Sequence, residues 1–156
     1  MKKGGVIYLG SDHAGLKLKE KIMSYLKKKN INLEDLGAYI FNQKDDYPDY
    51  ILSVAKKVSD DKSSLGIILG KSGQGEAIAA NKVKGIRAAL IYSFNRKIIT
   101  LSKEHNDSNI LSLGAGFLTD REAIEAVKLW LETKFSNSER HKRRLKKIEN
   151  FENRRI

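Results

Sequence analysis

Along this chain short apolar runs alternate with stretches in which apolar residues return every three or four positions, the pattern of strands followed by amphipathic helices. Val6 to Gly10 is the first apolar run, and Leu18, Ile22 and Leu26 then recur at helical spacing. Ile31 to Leu36 reads as a second strand diluted by Asn32, Glu34 and Asp35. Pro48 suits the first turn of a helix, where its missing N–H costs nothing, and Ile51, Val54, Ala55 and Val58 form one face behind it. Leu65 to Leu69 is a buried strand, followed by a glycine-rich turn and a helix over Glu76 to Lys82. Ile86 to Tyr92 and Asn109 to Leu113 are the fourth and fifth strands, with a helix around Lys97 to Leu101 between them. Ala123, Val127, Trp130 and Leu131 mark the next helix, and a last one covers Ser138 to Asn150.

Five strands alternating with helices predict a parallel sheet covered on both faces, a single α/β/α domain over residues 1–156. Ligands of such sheets bind outside the carboxyl ends of the strands. Three polar groups are expected there: Asp12-His13 after the first strand, Gly70 to Glu76 after the third, and His105-Asn106-Asp107 beside the fifth.

Composition narrows the class. Apolar residues make up 40% of the 156, enough for one core. No apolar run approaches the roughly 20 residues needed to span a bilayer, and the run after the N-terminal lysines is too short for a signal peptide. The absence of cysteine rules out disulfides and thiol chemistry and fits a reducing, cytoplasmic setting. Net charge is +11, and residues 134–156 supply +6 of it, nine basic side chains against Glu139, Glu149 and Glu152. Such a tail reads as a solvated face, an anion clamp or a nucleic-acid contact. Only Phe135 and Phe151 flank the run Arg140-His141-Lys142-Arg143-Arg144, so base-stacking platforms are scarce and neither nucleic acid nor membrane is the expected partner.

Gly70-Lys71-Ser72 superficially matches a phosphate loop, but the glycine required five residues earlier is Leu65. The dinucleotide pattern fails as well, because Ile78 stands at its third glycine. What remains is a tight turn at a helix start carrying a hydroxyl, Ser72, and a carboxylate, Glu76. Amide donors beside a carboxylate are the equipment for removing a proton alpha to a carbonyl. The three histidines, His13, His105 and His141, lack the close pairing of a metal site, so no metal is expected, and a proton shuttle or anion partner is the better reading. Arg140 and Arg144 share a helix face and form a fork for a phosphate dianion.

Seven segments, in order from residue 7 to about 150, resemble the type B ribose-5-phosphate isomerases and the related galactose-6-phosphate isomerase subunits. They are Gly10-Ser11-Asp12-His13-Ala14-Gly15, Asp46-Tyr47-Pro48-Asp49, Ser72-Gly73-Gln74-Gly75-Glu76, Ile78-Ala79-Ala80-Asn81-Lys82, Gly85-Ile86-Arg87-Ala88, His105-Asn106-Asp107 and Arg140-His141-x-x-Arg144. The resemblance implies a Rossmann-like sandwich with an extended C-terminal helix. It implies a homodimer, or a tetramer of two dimers, whose sites are completed across the interface.

By the same resemblance the protein interconverts ribose 5-phosphate and ribulose 5-phosphate, in the pentose phosphate pathway, without a cofactor. A hexose 6-phosphate such as allose or galactose 6-phosphate is the alternative substrate, and a non-catalytic anion-binding module the alternative class. Glu76 would move the proton between C1 and C2. Some members use a cysteine at the position of Gly70, so this chain looks like the glutamate-base branch. Ser72 with the amides of Gly73 and Gly75 would hold the enediolate oxygen, and His105 would open the ring. Asp12 and Asn106 would hold hydroxyls, Tyr47 would line the pocket, and His13, Arg140, His141 and Arg144 would hold the phosphate, the last three from the partner. Many members have glycine at the position of Lys71 and arginine at that of Gly116. Lys71 is therefore expected to restore some of the lost positive charge, at a point that bears on which sugar is preferred.

Overall fold

A computed structural model describes residues 5–154; the N-terminal lysines and Arg155 of the basic tail lie outside the described residues. The elements are β1 (Ile7–Ser11), α1 (Leu16–Lys28), β2 (Leu33–Asp35), α2 (Tyr47–Asp60), β3 (Leu65–Gly70), α3 (Gln74–Ala80), β4 (Ala88–Ile91), α4 (Arg96–Glu104), β5 (Ile110–Gly114), α5 (Asp120–Glu132) and α6 (Glu139–Asn153). The strands form one parallel sheet in the order β2-β1-β3-β5-β4. This is the α/β/α sandwich that the alternation of periods predicts.

Period-two alternation sorts the strand side chains between two layers. Ile7, Leu9, Ile67, Leu69, Leu111 and Leu113 face one way and pack with Ile22 and Leu26 of α1, Ile99 of α4, and Val127 and Trp130 of α5. Tyr8, Ile68 and Ile110 face the other and meet Ile51, Val54, Ala55 and Val58 of α2 and Ala80 of α3. Gly10 lets α2 come close: a Cβ there would stand 2.7 Å from a Val54 methyl.

Element ends follow local chemistry. Thr119 and Glu122 form a reciprocal capping box at α5, and the Asn95 side chain accepts the Ile98 amide to start α4. Strand β2 is shorter than its apolar pattern suggests, pairing through Leu33, Glu34 and Asp35 only. β4 starts at Ala88, because the Ile86 amide closes a turn onto the Val83 carbonyl. α3 begins two residues earlier than expected, so Glu76 lies within its first turn.

Chain direction then sets where the polar groups go. The connections diverge between β1 and β3, which pair so that Ser11 is level with Leu69. Asp12-His13 and the Gly70–Glu76 turn therefore emerge side by side at the carboxyl edge, the topological switch point. His105-Asn106-Asp107 do not join them. α4 runs back from the carboxyl edge, so the segment that follows it and precedes β5 lies at the amino edge. Five residues of β5 put about 16 Å of sheet between the two edges, which corrects the expectation that all three groups gather at one edge.

Candidate active site

The carboxyl-edge group is tightly built around Glu76. Its carboxylate occupies the space above Gly70 so fully that a Cβ at residue 70 would stand 1.7 Å from Oε1. Glu76 is only 4% exposed. Burial pushes its pKa up, helped by the Asp12 charge and opposed by its own backbone amide. A desolvated carboxylate raised in this way is a stronger base once ionised.

The turn that carries Glu76 needs a left-handed residue, and Gly73 supplies it at φ +74°. A Cβ at Gly73 would also meet the Leu113 and Gly114 backbone at 3.0 and 3.1 Å. Ser112 braces the turn from beneath by donating its hydroxyl to the Gly73 carbonyl at 2.7 Å. The Ser72 hydroxyl accepts the Gln74 amide at 3.3 Å, and the amides of Gly75 and Glu76 open the helix, where no intrahelical acceptor exists for them. The Tyr47 ring lies against Gly75, where a Cβ would come within 2.8 Å of Cζ.

Asp12 has a structural duty as well: its Oδ1 accepts the Ala14 and Gly15 amides at 3.0 and 3.1 Å and so shapes the entry into α1. His13 directs Nδ1 at Asp45 Oδ1, 2.5 Å away, and its backbone amide donates to the same oxygen at 3.2 Å. The hydrogen bond to Asp45 raises the His13 pKa, with desolvation opposing and the Asp12 charge adding to it. Ligand atoms of Asp12, His13 and Asp45 lie within 4.8 Å of one another, yet the histidine nitrogen on that side is already committed to Asp45, so the trio reads as a hydrogen-bonded dyad beside the Asp12 turn.

Lys71 is exposed at the rim. Its carbonyl accepts the Gly116 amide at 2.8 Å, and a Cβ at Gly116 would lie 3.1 Å from Lys71 Cγ. The two positions at which this chain departs from the pattern it resembles are thus spatial neighbours.

The amino-edge group is separate. His105 and His141 rings lie 4.1 Å apart between centroids. His141 is buried, its Nδ1 bonded to the Ser136 hydroxyl at 2.8 Å and its Nε2 to Arg140 Nε at 3.1 Å. Since Arg140 can only donate, Nε2 is the acceptor and the ring is the neutral Nδ1–H tautomer. Burial lowers the His141 pKa, and the charges of His105, Arg140 and Arg144 lower it further. Both ring nitrogens of His141 are thus bonded within this chain, one of them to the neighbouring Arg140. Arg140 and Arg144 themselves are exposed on α6.

Arg87 anchors the neighbouring turn, donating to the Asn106 and Asp107 carbonyls and pairing with the Asp107 carboxylate at 3.0 Å. The bonds of Arg87 and of the histidine pair close within their own edge of the sheet and do not reach Glu76. Asp45, Ser112 and Ser136 escape the sequence reading, because each sits in a segment or on a strand face without periodic signal. The acidic pair Asp45-Asp46 is the only hint that Asp45 leaves.

Residues 7–148 match the model of a family described as ribose/galactose isomerase. Ribose-5-phosphate isomerase B of Mycobacterium tuberculosis is 40% identical over 146 residues, covering 94% of this chain and 89% of the relative. The crystal structure of ribose-5-phosphate isomerase B from Mycoplasma genitalium with bound ribulose 5-phosphate superposes with a TM-score of 0.92 at 41% identity, covering 97% of this chain and 98% of that one. The Clostridium thermocellum ribose-5-phosphate isomerase B structure gives a TM-score of 0.90 at 40% identity, covering 97% and 99%.

Proposed function

This chain belongs to the ribose/galactose isomerase family, and on that premise we propose that it interconverts ribose 5-phosphate and ribulose 5-phosphate by proton transfer through an enediolate. The observation that carries the reading is the desolvated Glu76 carboxylate beside an anion-compatible turn. Glu76 takes the C2 proton of the open-chain aldose and returns it at C1. Ser72 and the amides of Gly73 and Gly75 hold the charge that develops on oxygen, which is where fixed donors lower a barrier most. Asp12 and Tyr47 contact the sugar. The protein's own groups supply all of this chemistry, and no cofactor is needed.

The second half of the site comes from a second copy. His105 opens the ring, Asn106 holds a hydroxyl, and Arg140, His141 and Arg144 clamp the phosphate opposite His13. Supporting this is exposed apolar surface: Ile78 on α3 and Phe117 are each 63% exposed, Tyr92 is half exposed and meets Phe117 ring to ring at 6.5 Å, and β4 is a sheet edge. Exposed edges and patches of this kind are normally covered. A homodimer burying this face is the proposed working unit, with tetramers a further step. The cytoplasm is the proposed location, in keeping with a chain free of cysteine; no helix among the described residues is long and apolar enough to cross a membrane.

Lys71 beside Gly116 is the point at which the sugar preference is set: we assign Lys71 a share of the charge that an arginine at 116 would bring. A raised Michaelis constant in Lys71→Ala supports this, and an unchanged one rejects it. Turnover of ribose 5-phosphate in EDTA, beside allose and galactose 6-phosphates, tests the reading as a whole. Robust pentose turnover is expected; activity on a hexose phosphate alone would move the substrate, and none on any would reject isomerisation.

A further inference from the structure

His13 leaves the end of β1, while Asp45 comes from the loop between β2 and α2, 32 residues away. One carboxylate oxygen, Asp45 Oδ1, receives both the His13 ring and the His13 backbone amide, so the histidine is tied at two points to a single atom. The Asp45 side chain is 3% exposed although its loop is largely open, and its Oδ2 is buried too. A surface loop does not bury a carboxylate in this way for its own stability, because the desolvation has to be offset by a charged partner. The loop is arranged to present it: the Asp45 amide donates to the Asn42 carbonyl at 3.0 Å and the Lys44 amide to the Asn42 side chain at 3.1 Å. Phe41, from the same loop, meets the His13 ring edge-on at 5.7 Å and 86°. The ring's plane and the direction of Nδ1 are both set by this loop.

We infer that Asp45 is a positioning residue that holds His13 as an imidazolium with Nε2–H free for the substrate phosphate. The inference rests on the reading that His13 meets that phosphate. Its logic is one of tautomers. With Nδ1–H directed to Asp45, the neutral ring offers only a lone pair at Nε2, which repels a phosphate oxygen. The protonated ring offers a charge-assisted donor there instead. Phosphate affinity must then follow the protonation of His13, and Asp45 sets the pH at which that protonation is lost. The upward pull of this contact on the His13 pKa agrees. Besides Asp45, the charge acting on the ring is that of Asp12 at the β1 exit, and from α2 the Tyr50 phenol lies beside Asp45 and is hydrogen-bonded to it. Burial pushes the Tyr50 phenol above its ordinary value, and the charges of Asp45, Asp49 and Asp12 push it further. Tyr50 therefore keeps its proton between pH 6 and 9, and the arginines of the clamp keep their charge throughout.

The test compares wild type, Asp45→Asn, Asp45→Glu and His13→Ala. For each, the inhibition constant of inorganic phosphate against isomerisation is measured between pH 6 and 9, and the His13 ring is titrated by NMR. Asp45→Asn keeps an acceptor for Nδ1–H and removes the charge. Its His13 midpoint is expected to fall, so that its inhibition constant relative to wild type grows as pH rises from 6 to 9, toward about tenfold where the midpoint falls by one pH unit. KM for the sugar phosphate should rise with the inhibition constant, by more than kcat falls, and Asp45→Glu should recover the wild-type profile. A ratio of inhibition constants that stays flat with pH, or an unmoved His13 midpoint, would overturn the inference, since a merely structural aspartate would weaken binding equally at all pH values. If His13→Ala leaves phosphate inhibition untouched, the parent reading of His13 fails and takes this one with it. An intact His13→Ala effect with a flat Asp45→Asn ratio sinks the Asp45 role alone.

Discussion

Residue 70 has no side chain because residue 76 uses the room. The Glu76 carboxylate fills the volume that a Cβ on Gly70 would claim, so Gly70→Ala must push it aside. A displaced base of this kind costs about 10²-fold in turnover, to be read as kcat with the fold checked by circular dichroism. Glu76→Gln should cut turnover by about 10²–10⁴-fold, and near-normal activity would reject Glu76 as the base. The same substitution should also stabilise the fold. Because burial raises the Glu76 pKa above its unfolded value, the stability linked to this group is fully present below the unfolded pKa and lost as pH rises through the folded one. Thermal melts should therefore show Glu76→Gln above wild type at pH 7.5 and drawing level toward pH 4. Glu76 is legible in the sequence because a carboxylate on a glycine-rich turn after a buried strand is an unusual combination. Asp45 is not, since an aspartate in a polar loop looks like any other until the chain folds His13 onto it.

At the scale of elements, two lysines on helices are buried and do structural work. Lys19 of α1 is fully buried and reaches Asp35 at 2.5 Å and the Ala38 carbonyl at 2.7 Å, holding β2 and the loop that follows. Lys19→Met should cost about 3 kcal/mol by leaving Asp35 without its cationic partner, measurable as a shift of the urea midpoint. Lys103 of α4 donates to the Ser108 carbonyl at 2.7 Å and sits 4.5 Å over the Trp130 ring. Burial lowers its pKa to about 8. Between that value and the ordinary one the unfolded chain binds more protons, so stability linked to Lys103 rises with pH across this window. The stability difference between Lys103→Met and wild type should accordingly shift in favour of wild type from pH 8 to pH 10; a constant difference would contradict the burial account. Both lysines look like solvated helix positions in the sequence, and only their polar partners, brought in by the fold, distinguish them. Element types are readable from periodicity, and ends are readable where a cap or Pro48 marks them. The edge that His105 reaches also follows once the sheet is taken as parallel, because a segment that leads into a strand lies at its amino end, and only its pairing with His141 needs the folded chain.

At the scale of the molecule, Glu76 and His105 lie at opposite edges of one sheet, so the proposed site takes one from each copy. Mixing Glu76→Gln with His105→Ala chains after unfolding and refolding tests this directly. A mixed dimer regains one intact site, and random pairing should return about a quarter of wild-type activity; no recovery would mean that each site is built within one chain. Ile78→Glu, on the exposed face, should yield monomers by sedimentation and an inactive protein.

With the proposed two-copy site, the split between the two edges would also make catalysis a matter of dosage. A lone chain would hold a base without a phosphate clamp, so working sites would count pairs of chains and not chains. Below the concentration at which pairs form, the reaction rate would rise with the square of the amount of protein. Halving its synthesis would then cut flux about fourfold, whereas well above that concentration the loss would be only half.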